Sequence, residues 1–406
     1  MSPIAVLLLC LFIDLVGFGI ILPILPFIVQ SLGGGEMMGG LLFATYSFAA
    51  AFAGPLWGRL SDRIGRRPAL MLTLGGAALS YVALGLAHSI LMIFLARAMS
   101  GAMAGNVGIV MAAMADLTES RERTRAMGLI GMSFGLGFAT GPGIAAIMAS
   151  FADVHALAFS AFAAAALSLS ALLLAALSLP DIRPQDEDDG TDDAADAGTP
   201  SFLSFIDSPR KLGLMLQFVL YATIQSMVFA MSGFWAAHVW QWGEREVGFL
   251  MAGVGLLIAS LQGFLVAPLA ERFGETRTYL IALVASLSGS LLLIVAGARS
   301  VLVMFLAFPL MMGGMTLAYP VLNSLLSRRH RARVQGAALG LANGFSASGR
   351  VAGPLLGGWL MTSKGPSAPF YASLALAILG LFWVLGELRA GRPSRPISPP
   401  PPPWTP

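Results

Sequence analysis

Apolar residues run through this chain in blocks of about twenty, each closed by a short polar break. Barrel strands would alternate over about ten residues instead. A spanning helix needs roughly 20 mainly apolar residues. Twelve blocks meet that length: 4–29, 39–57, 69–87, 91–114, 127–149, 157–179, 212–236, 247–267, 279–298, 301–326, 336–360 and 368–388. They are numbered here as spans 1 to 12. One break differs in kind. Residues 180–211 contain "PDIRPQDEDDGTDDAADAGTP", acidic and almost free of large apolar groups, so they bury too little surface to fold and read as a cytoplasmic linker. The last stretch, "RPSRPISPPPPPWTP", is proline-rich and reads as extended. The pattern predicts an all-α membrane protein. Residues 1–179 form one six-helix bundle and 212–388 another, with 180–211 as linker and 389–406 as a cytoplasmic tail.

Composition agrees. Of 406 residues, 57% are apolar and 11% charged, with a mean hydropathy of +0.79. Soluble domains carry about 25% charged residues. Nineteen of the 24 Lys and Arg residues fall after spans 2, 4, 6, 8 and 10 or at the C-terminus. Arg245, Arg299 and Lys364 lie on the opposite side, and Arg97 and Arg350 inside spans. Positive loops stay in the cytoplasm, which puts both termini there. Lys211 and Lys364 are the only lysines, and this arginine bias with abundant alanine suggests a high-GC bacterial genome. The expected location is the bacterial cytoplasmic (inner) membrane.

Several classes drop out. The arginines sit in short loops between apolar blocks, so no nucleic-acid partner is expected. A single cysteine, Cys10, excludes an internal disulfide and a cysteine metal site. His88, His155, His238 and His330 lack ligand spacing, so no metal is expected. Residues 1–30 lack a basic leading segment and read as the first span, not a removable signal. Gly131-x-Ser133-x-Gly135 fits the hydrolase elbow pattern, but that motif needs a strand-to-helix turn. No nucleophile, base or metal set converges, so the chain is not expected to be an enzyme.

The two halves repeat. Asp62-Arg63-x-Gly65 aligns with Glu271-Arg272-x-Gly274 at an offset of 209, "FLAR" at 94–97 with "FLAF" at 305–308 at 211, and Gly141-Pro142 with Gly353-Pro354 at 212. Matches at one spacing, in corresponding spans, argue for two pseudo-symmetric six-helix bundles around a central cavity, a recurring transporter design.

"GRLSDRIGRRP" at 58–68 resembles the signature between spans 2 and 3 of the major facilitator superfamily. Within it, "DLVGFGIILPILP", "LARAMSGAMAGN", "LAERFGE" and "GFATGPG" are most similar to drug:proton antiporters of the tetracycline-exporter type. In the loop, Gly58 allows close helix approach. Asp62 can accept from Arg59 or from a helix N-terminus. Arg63, Arg66 and Arg67 suit the cytoplasmic lipid surface, and Gly65 completes the motif. The resemblance implies that the loop, through Gly58, Asp62 and Arg66, braces the first half against span 11 and favours an outward-facing state. The alternative is a topology anchor only. In span 5, Gly131, Gly135, Gly137 and Gly141 are read as a small-residue face, with Pro142 bending the helix. The family's antiporter signature matches Gly137, Gly141 and Pro142, then departs at Ala145-Ala146, while span 11 keeps "GPLLGG" at 353–358.

Asp14 is the one carboxylate placed deep in a span. It lies ten residues into span 1, about 15 Å at ~1.5 Å per residue, near the midplane of a ~30 Å core. It shares a face with Gly17, Phe18 and Ile21, and Pro23 and Pro26 disturb the outer end of the span. Burial favours its neutral form and a nearby cation its anion, so proton binding can depend on which side is open. Arg97 is the expected counter-charge, and the resemblance gives it a role in proton relay or support. Arg350, which tetracycline exporters usually lack, could bind an anionic substrate group or balance Asp14. A fixed ion pair between the halves remains an alternative for both arginines. The acids of the tetracycline type in spans 3 and 9 are replaced by Ser80 and Ser286, and its span-8 histidine by Ile258, while Gln262 is kept. That argues against tetracycline as cargo. Asn106, Gln217, Tyr221, Gln225, Gln262, Tyr319, Asn323 and Asn343 are candidate cavity residues, with Tyr46, Met227, Phe229 and Phe308 as an apolar wall. Trp235, Trp240 and Trp242 read as interface anchors.

The expectation is an alternating-access exporter, monomeric, in the bilayer, exchanging protons for a small amphipathic molecule or drug. Asp14 and Arg97 couple the proton, and no cofactor is needed beyond the proton gradient. A symporter or uniporter for a sugar, organic anion or lipid, and a non-transporting receptor or scaffold, are the alternatives.

Overall fold

A computed structural model describes residues 2–118, 123–151, 156–182, 208–297, 299–330 and 332–389. Residues 183–207 of the predicted linker and 390–406 of the predicted tail lie outside these described residues. Span 1 is two helices, α1 (Pro3–Ile21) and α2 (Leu25–Ser31). Span 2 is α3 (Glu36–Ile64) and span 3 is α4 (Arg66–Gly85). Span 4 is split into α5 (Ile90–Ala102) and α6 (Asn106–Leu117), and α7 (Arg123–Ala149) and α8 (Ala156–Ser178) complete the first half. The second half has α9 (Pro209–Trp240), then α10 (Glu244–Phe264) with a short continuation, α11 (Val266–Phe273). It ends with α12 (Glu275–Leu292) and its π turn Leu293–Gly297, α13 (Val301–Arg329), α14 (Ala332–Lys364) and α15 (Ala368–Arg389).

Local chemistry sets these boundaries. Ser2, Ser89, Ser208 and Ser300 each accept a backbone N–H of the first turn they precede, as N-caps do. Pro26 falls in the first turn of α2, where a missing N–H costs nothing. Gly65 (φ 95°) and Gly274 (φ 77°) turn the chain between α3 and α4 and between α11 and α12. That conformation suits glycine, and the two positions are equivalent in the repeat.

Ten helical segments among the described residues are long and apolar enough to cross a membrane by length and composition. α10 and α14 are not in that set. Both are sandwiched: α10 lies against α7 and α13, α14 against α9, α3 and α15. In α14, glycines and alanines facing protein replace lipid-facing leucines, whereas α10 keeps Phe249, Leu256 and Phe264 at its surface.

Glycines set the close contacts. A Cβ on Gly141 would lie 2.6 Å from the Val16 carbonyl oxygen, and one on Gly137 2.6 Å from the Leu15 Cβ. These two glycines therefore seat α7 on α1. In the second half Gly349, Gly353 and Gly357 seat α14 on α9 in the same way. Gly135 instead faces Ala259 of α10, and Gly131 meets nothing within 4 Å. The predicted single small-residue face of span 5 is thus two faces, because the helix is wedged between α1 and α10. Gly141→Leu is expected to lower stability by about 1–3 kcal/mol, while Gly131→Leu leaves it unchanged. Thermal unfolding in detergent checks the contrast, and equal losses in both variants would contradict it.

Among the described residues the bundles touch from the end bearing Glu36 down to mid-membrane, where Gly135 of α7 meets Ala259 of α10. At the end bearing Glu36, a Cβ on Gly40 would lie 2.3 Å from the Pro354 carbonyl oxygen, one on Gly39 2.2 Å from the Phe234 ring, and one on Gly233 2.9 Å from Pro26. One hydrophobic core runs through this end, from Ile20, Ile24 and Phe43 to Phe234 and Trp235. Toward the end bearing the 58–67 loop, Gly54 and Gly58 on α3 and Gly336, Gly340 and Gly344 on α14 meet nothing within 4 Å. The first half keeps a core of its own there, around Leu7, Leu11, Leu70 and Met114. The halves therefore splay into a chamber that opens at the loop end.

Candidate functional site

Two polar clusters face each other across this chamber. In the first half, Asp14 projects from α1, half-buried, and Asn106 approaches its carboxylate as a hydrogen-bond donor. The split of span 4 makes this possible. Gly101 and Gly105 let α5 and the following turn close on Tyr46 and Trp57 of α3. Trp57 Nε1 donates to the Ala102 carbonyl oxygen at 2.7 Å, next to the break. Asn106 then becomes the first residue of α6, and its Oδ1 is buried without a hydrogen-bond partner.

Arg97 is 1% exposed, and its three guanidinium nitrogens have no hydrogen-bond partner. It lies 4.6 Å from the Tyr46 ring centroid and 5.8 Å from that of Phe18. Ring faces hold this cation. The expected Asp14–Arg97 ion pair does not form among the described residues. Tyr81 of α4, which the sequence reading passed over, stands close enough to feel both charges. Phe18 packs on Tyr46 at 5.1 Å and on Phe138 at 6.0 Å, and Phe138 meets Phe229 of the second half at 6.2 Å.

The second cluster joins Tyr221, Gln225, Tyr319 and Arg350. Tyr221 stacks on Tyr319 at 5.4 Å and donates from its hydroxyl to Gln225. Arg350 is exposed and acts electrostatically on Tyr46 and Tyr221. Gln217 is elsewhere. It is 4% exposed and accepts from the Tyr279 hydroxyl at 2.8 Å, so it ties α9 to α12 and does not line the chamber. Phe308 is likewise packed between Trp235 and Phe370, and Trp235 is 1% exposed, a core residue and not an interface anchor. Gln262, Asn323 and Asn343 make no hydrogen bond among the described residues.

The loop motif is braced within its own half. Arg66, 7% exposed in its side chain, donates to Asp62, to Ser61 Oγ at 2.8 Å and to Asp116 Oδ2 at 2.8 Å. Its backbone N–H donates to the Ile182 carbonyl oxygen at 2.9 Å, and Arg67 Nη2 to that of Ala176 at 2.6 Å. Asp62 therefore pairs with Arg66, not with Arg59 or a helix end. Arg59, Asp62 and Arg63 are exposed, and nothing presses on Gly58. Arg66 is buried, not at the lipid surface as expected. Asp116 was missed because it falls where span 4 seemed to end. Ser133, in the elbow-like motif, lies inside α7 with its hydroxyl on the Leu129 carbonyl oxygen at 3.2 Å, so no strand-to-helix turn exists there.

The closed end carries a polar tie between the halves. His238 Nε2 of α9 lies 3.1 Å from Glu36 Oε1 of α3, and Nδ1 lies 2.9 Å from the Phe234 carbonyl oxygen. Thr362 of α14 donates to Glu36 Oε2 at 3.5 Å. Glu36→Ala is expected to remove about 1 kcal/mol from this closure. Spin labels at Leu32 and Ser367 should then show a larger long-distance population. An unchanged distance distribution would show that the tie does not hold the end shut.

The family profile described as Major Facilitator Superfamily matches residues 7–239 and again 213–406. The chain is 28% identical to the class B tetracycline resistance protein of Escherichia coli, over 85% of its length and 84% of the relative's. It is 26% identical to the solved human organic anion transporter MFSD10 (TETRAN), with a TM-score of 0.70, covering 94% of this chain and 98% of that one. The nucleoside transporter NupG, at 16% identity and a TM-score of 0.72 over 96% and 99% of the two chains, shares the fold. The chain belongs to the Major Facilitator Superfamily, as a multi-pass membrane transporter of twelve helices and not an enzyme.

Proposed function

We propose that this transporter exports a small amphipathic molecule in exchange for protons, by alternating access, with Asp14 as the proton carrier. The single observation that carries this reading is Asp14 itself. It is an ionisable acid, half-buried at the junction of the halves and not locked in an ion pair. An acid at that depth is costly unless it has work to do. With the arginine-rich loops in the cytoplasm, the open chamber faces inward, ready to load, and both termini are cytoplasmic in a bacterial inner membrane. Resistance proteins among the relatives support the outward direction, and the organic anion transporter supports a charged cargo.

Mechanistically, cargo entering the chamber meets the ionised form of Asp14 and Asn106. The glycine seats of α7 on α1 and of α14 on α9 keep each bundle rigid while the bundles rock. Opening at the Glu36 end then admits a proton to Asp14, which weakens its hold on cargo. Proteoliposomes loaded with a panel of amphipathic fluorophores, under an imposed pH gradient, test the reading. Flux should run against the proton gradient and reverse with it. Flux indifferent to the gradient would refute proton exchange.

A further inference from the structure

The two deep arginines differ in what a molecule in the chamber can reach. Arg97 is capped by the rings of Tyr46 and Phe18. Arg350 is exposed, one helical turn inside the contact that Pro354 makes with Gly40 at the closed end. It makes no hydrogen bond or ion pair among the described residues. The rings it acts on stand on opposite bundles, Tyr46 on α3 and Tyr221 on α9. Tyr221 is fixed by its stack on Tyr319 and its bond to Gln225. No acid among the described residues pairs with Arg350: Glu36 is engaged by His238 and Thr362, and Asp14 by Asn106. A guanidinium presented this way is suited to a planar anion such as a carboxylate, which it can hold through two parallel N–H donors.

Asp14 demands the opposite charge. A carboxylate that exchanges its proton for cargo must meet a cargo group that competes with that proton, and a cation does so. An anion beside it would strengthen proton binding, and linkage would then move proton and cargo together.

We infer that the cargo is an aromatic ampholyte, its cationic group on Asp14, its carboxylate on Arg350 and its ring between Phe18 and Tyr46 on one side and Tyr319, backed by Tyr221, on the other. This rests on the exchange reading above. Because Asp14 belongs to α1 and Arg350 to α14, such a molecule bridges the two bundles and draws them together when bound.

A matched probe series tests it: a piperazinyl-quinolone carboxylic acid (ampholyte), its methyl ester (cation) and its N-acetyl derivative (anion). In proteoliposomes under a pH gradient, the wild type should move the ampholyte about tenfold faster than the ester at limiting concentration, the value of one charge-assisted contact. Arg350→Gln should bring that ratio to about one, and Arg350→Lys should restore part of it. A ratio near one in the wild type, or the same ratio in Arg350→Gln, overturns the inference. So does no detectable binding of the ampholyte. The ester separates the two claims: exchange of ester for protons that needs Asp14 upholds the exchange reading whatever Arg350 does. Anion flux running with the proton overturns both.

Discussion

Asp14→Asn is expected to reduce gradient-driven flux to the level of protein-free vesicles while cargo counterflow survives at a raised cargo concentration. Asparagine has the shape of the protonated acid and cannot release a proton, so the site is fixed in one charge state. Counterflow needs only reorientation with cargo bound, whereas net exchange needs the carrier to return protonated. The environment makes the variant clean. Asp14 is not paired with Arg97, whose cation rests on the rings of Tyr46 and Phe18, so losing the carboxylate strands no buried partner. Thermal stability should therefore hold or rise, since a desolvated acid is removed. Asp14→Glu should keep partial coupling, because the carboxylate survives at a shifted position. The measurement is proton loss from pyranine-loaded vesicles on addition of external cargo, beside labelled-cargo counterflow. Gradient-driven flux persisting in Asp14→Asn would show that the proton travels by another group.

How much of this was legible in the sequence follows from what each signal encodes. Twelve hydrophobic runs and a repeat of about 210 residues fix helices and halves, because the bilayer sets the length and the duplication sets the count. Asp14 stood out for the same reason: one acid in one apolar run. The partner of a given side chain is different, since it depends on neighbours that a single helix does not record. Gln217 and Tyr221 share a face of α9 one turn apart, yet the first binds Tyr279 of α12 and the second stacks on Tyr319 of α13. Arg97 and Asp14 appear complementary in sequence, but the break at residues 103–105 brings Asn106 to Asp14 instead. Only Gly101 and Gly105, packed on α3, hinted at that break. Nothing in the sequence links Glu36 to His238, because their relation is purely tertiary.

Arg66→Ala is expected to cost about 3–5 kcal/mol, the usual result of stranding a buried charge. The Arg66 guanidinium is shared by Ser61, Asp62 and Asp116, and the Asp116 side chain is only 17% exposed. Removing the arginine leaves Asp116 unpaired at the end of α6 and frees the turn at Gly65, where the chain also hangs from the Ile182 carbonyl oxygen. Asp62→Asn should cost under ~1 kcal/mol, because Asp62 is 57% exposed and its pairing is largely screened. Its loss should lower transport without impairing insertion. The second half carries the same tie with the charges exchanged: Glu275, equivalent to Arg66, meets Arg328, equivalent to Asp116, at 2.7 Å. That reversal says the requirement at this corner is a neutralised pair joining the ends of two spans, with either polarity. The exchanged pair Arg66→Glu with Asp116→Arg should therefore recover most of the stability lost by Arg66→Ala, and Arg66→Ala with Asp116→Ala a smaller part. Thermal unfolding in detergent, read beside flux, decides this. If the exchanged pair is as unstable as Arg66→Ala alone, then the hydrogen bonds of Arg66 to Ser61 and Asp62 hold the corner, and the charge pairing does not.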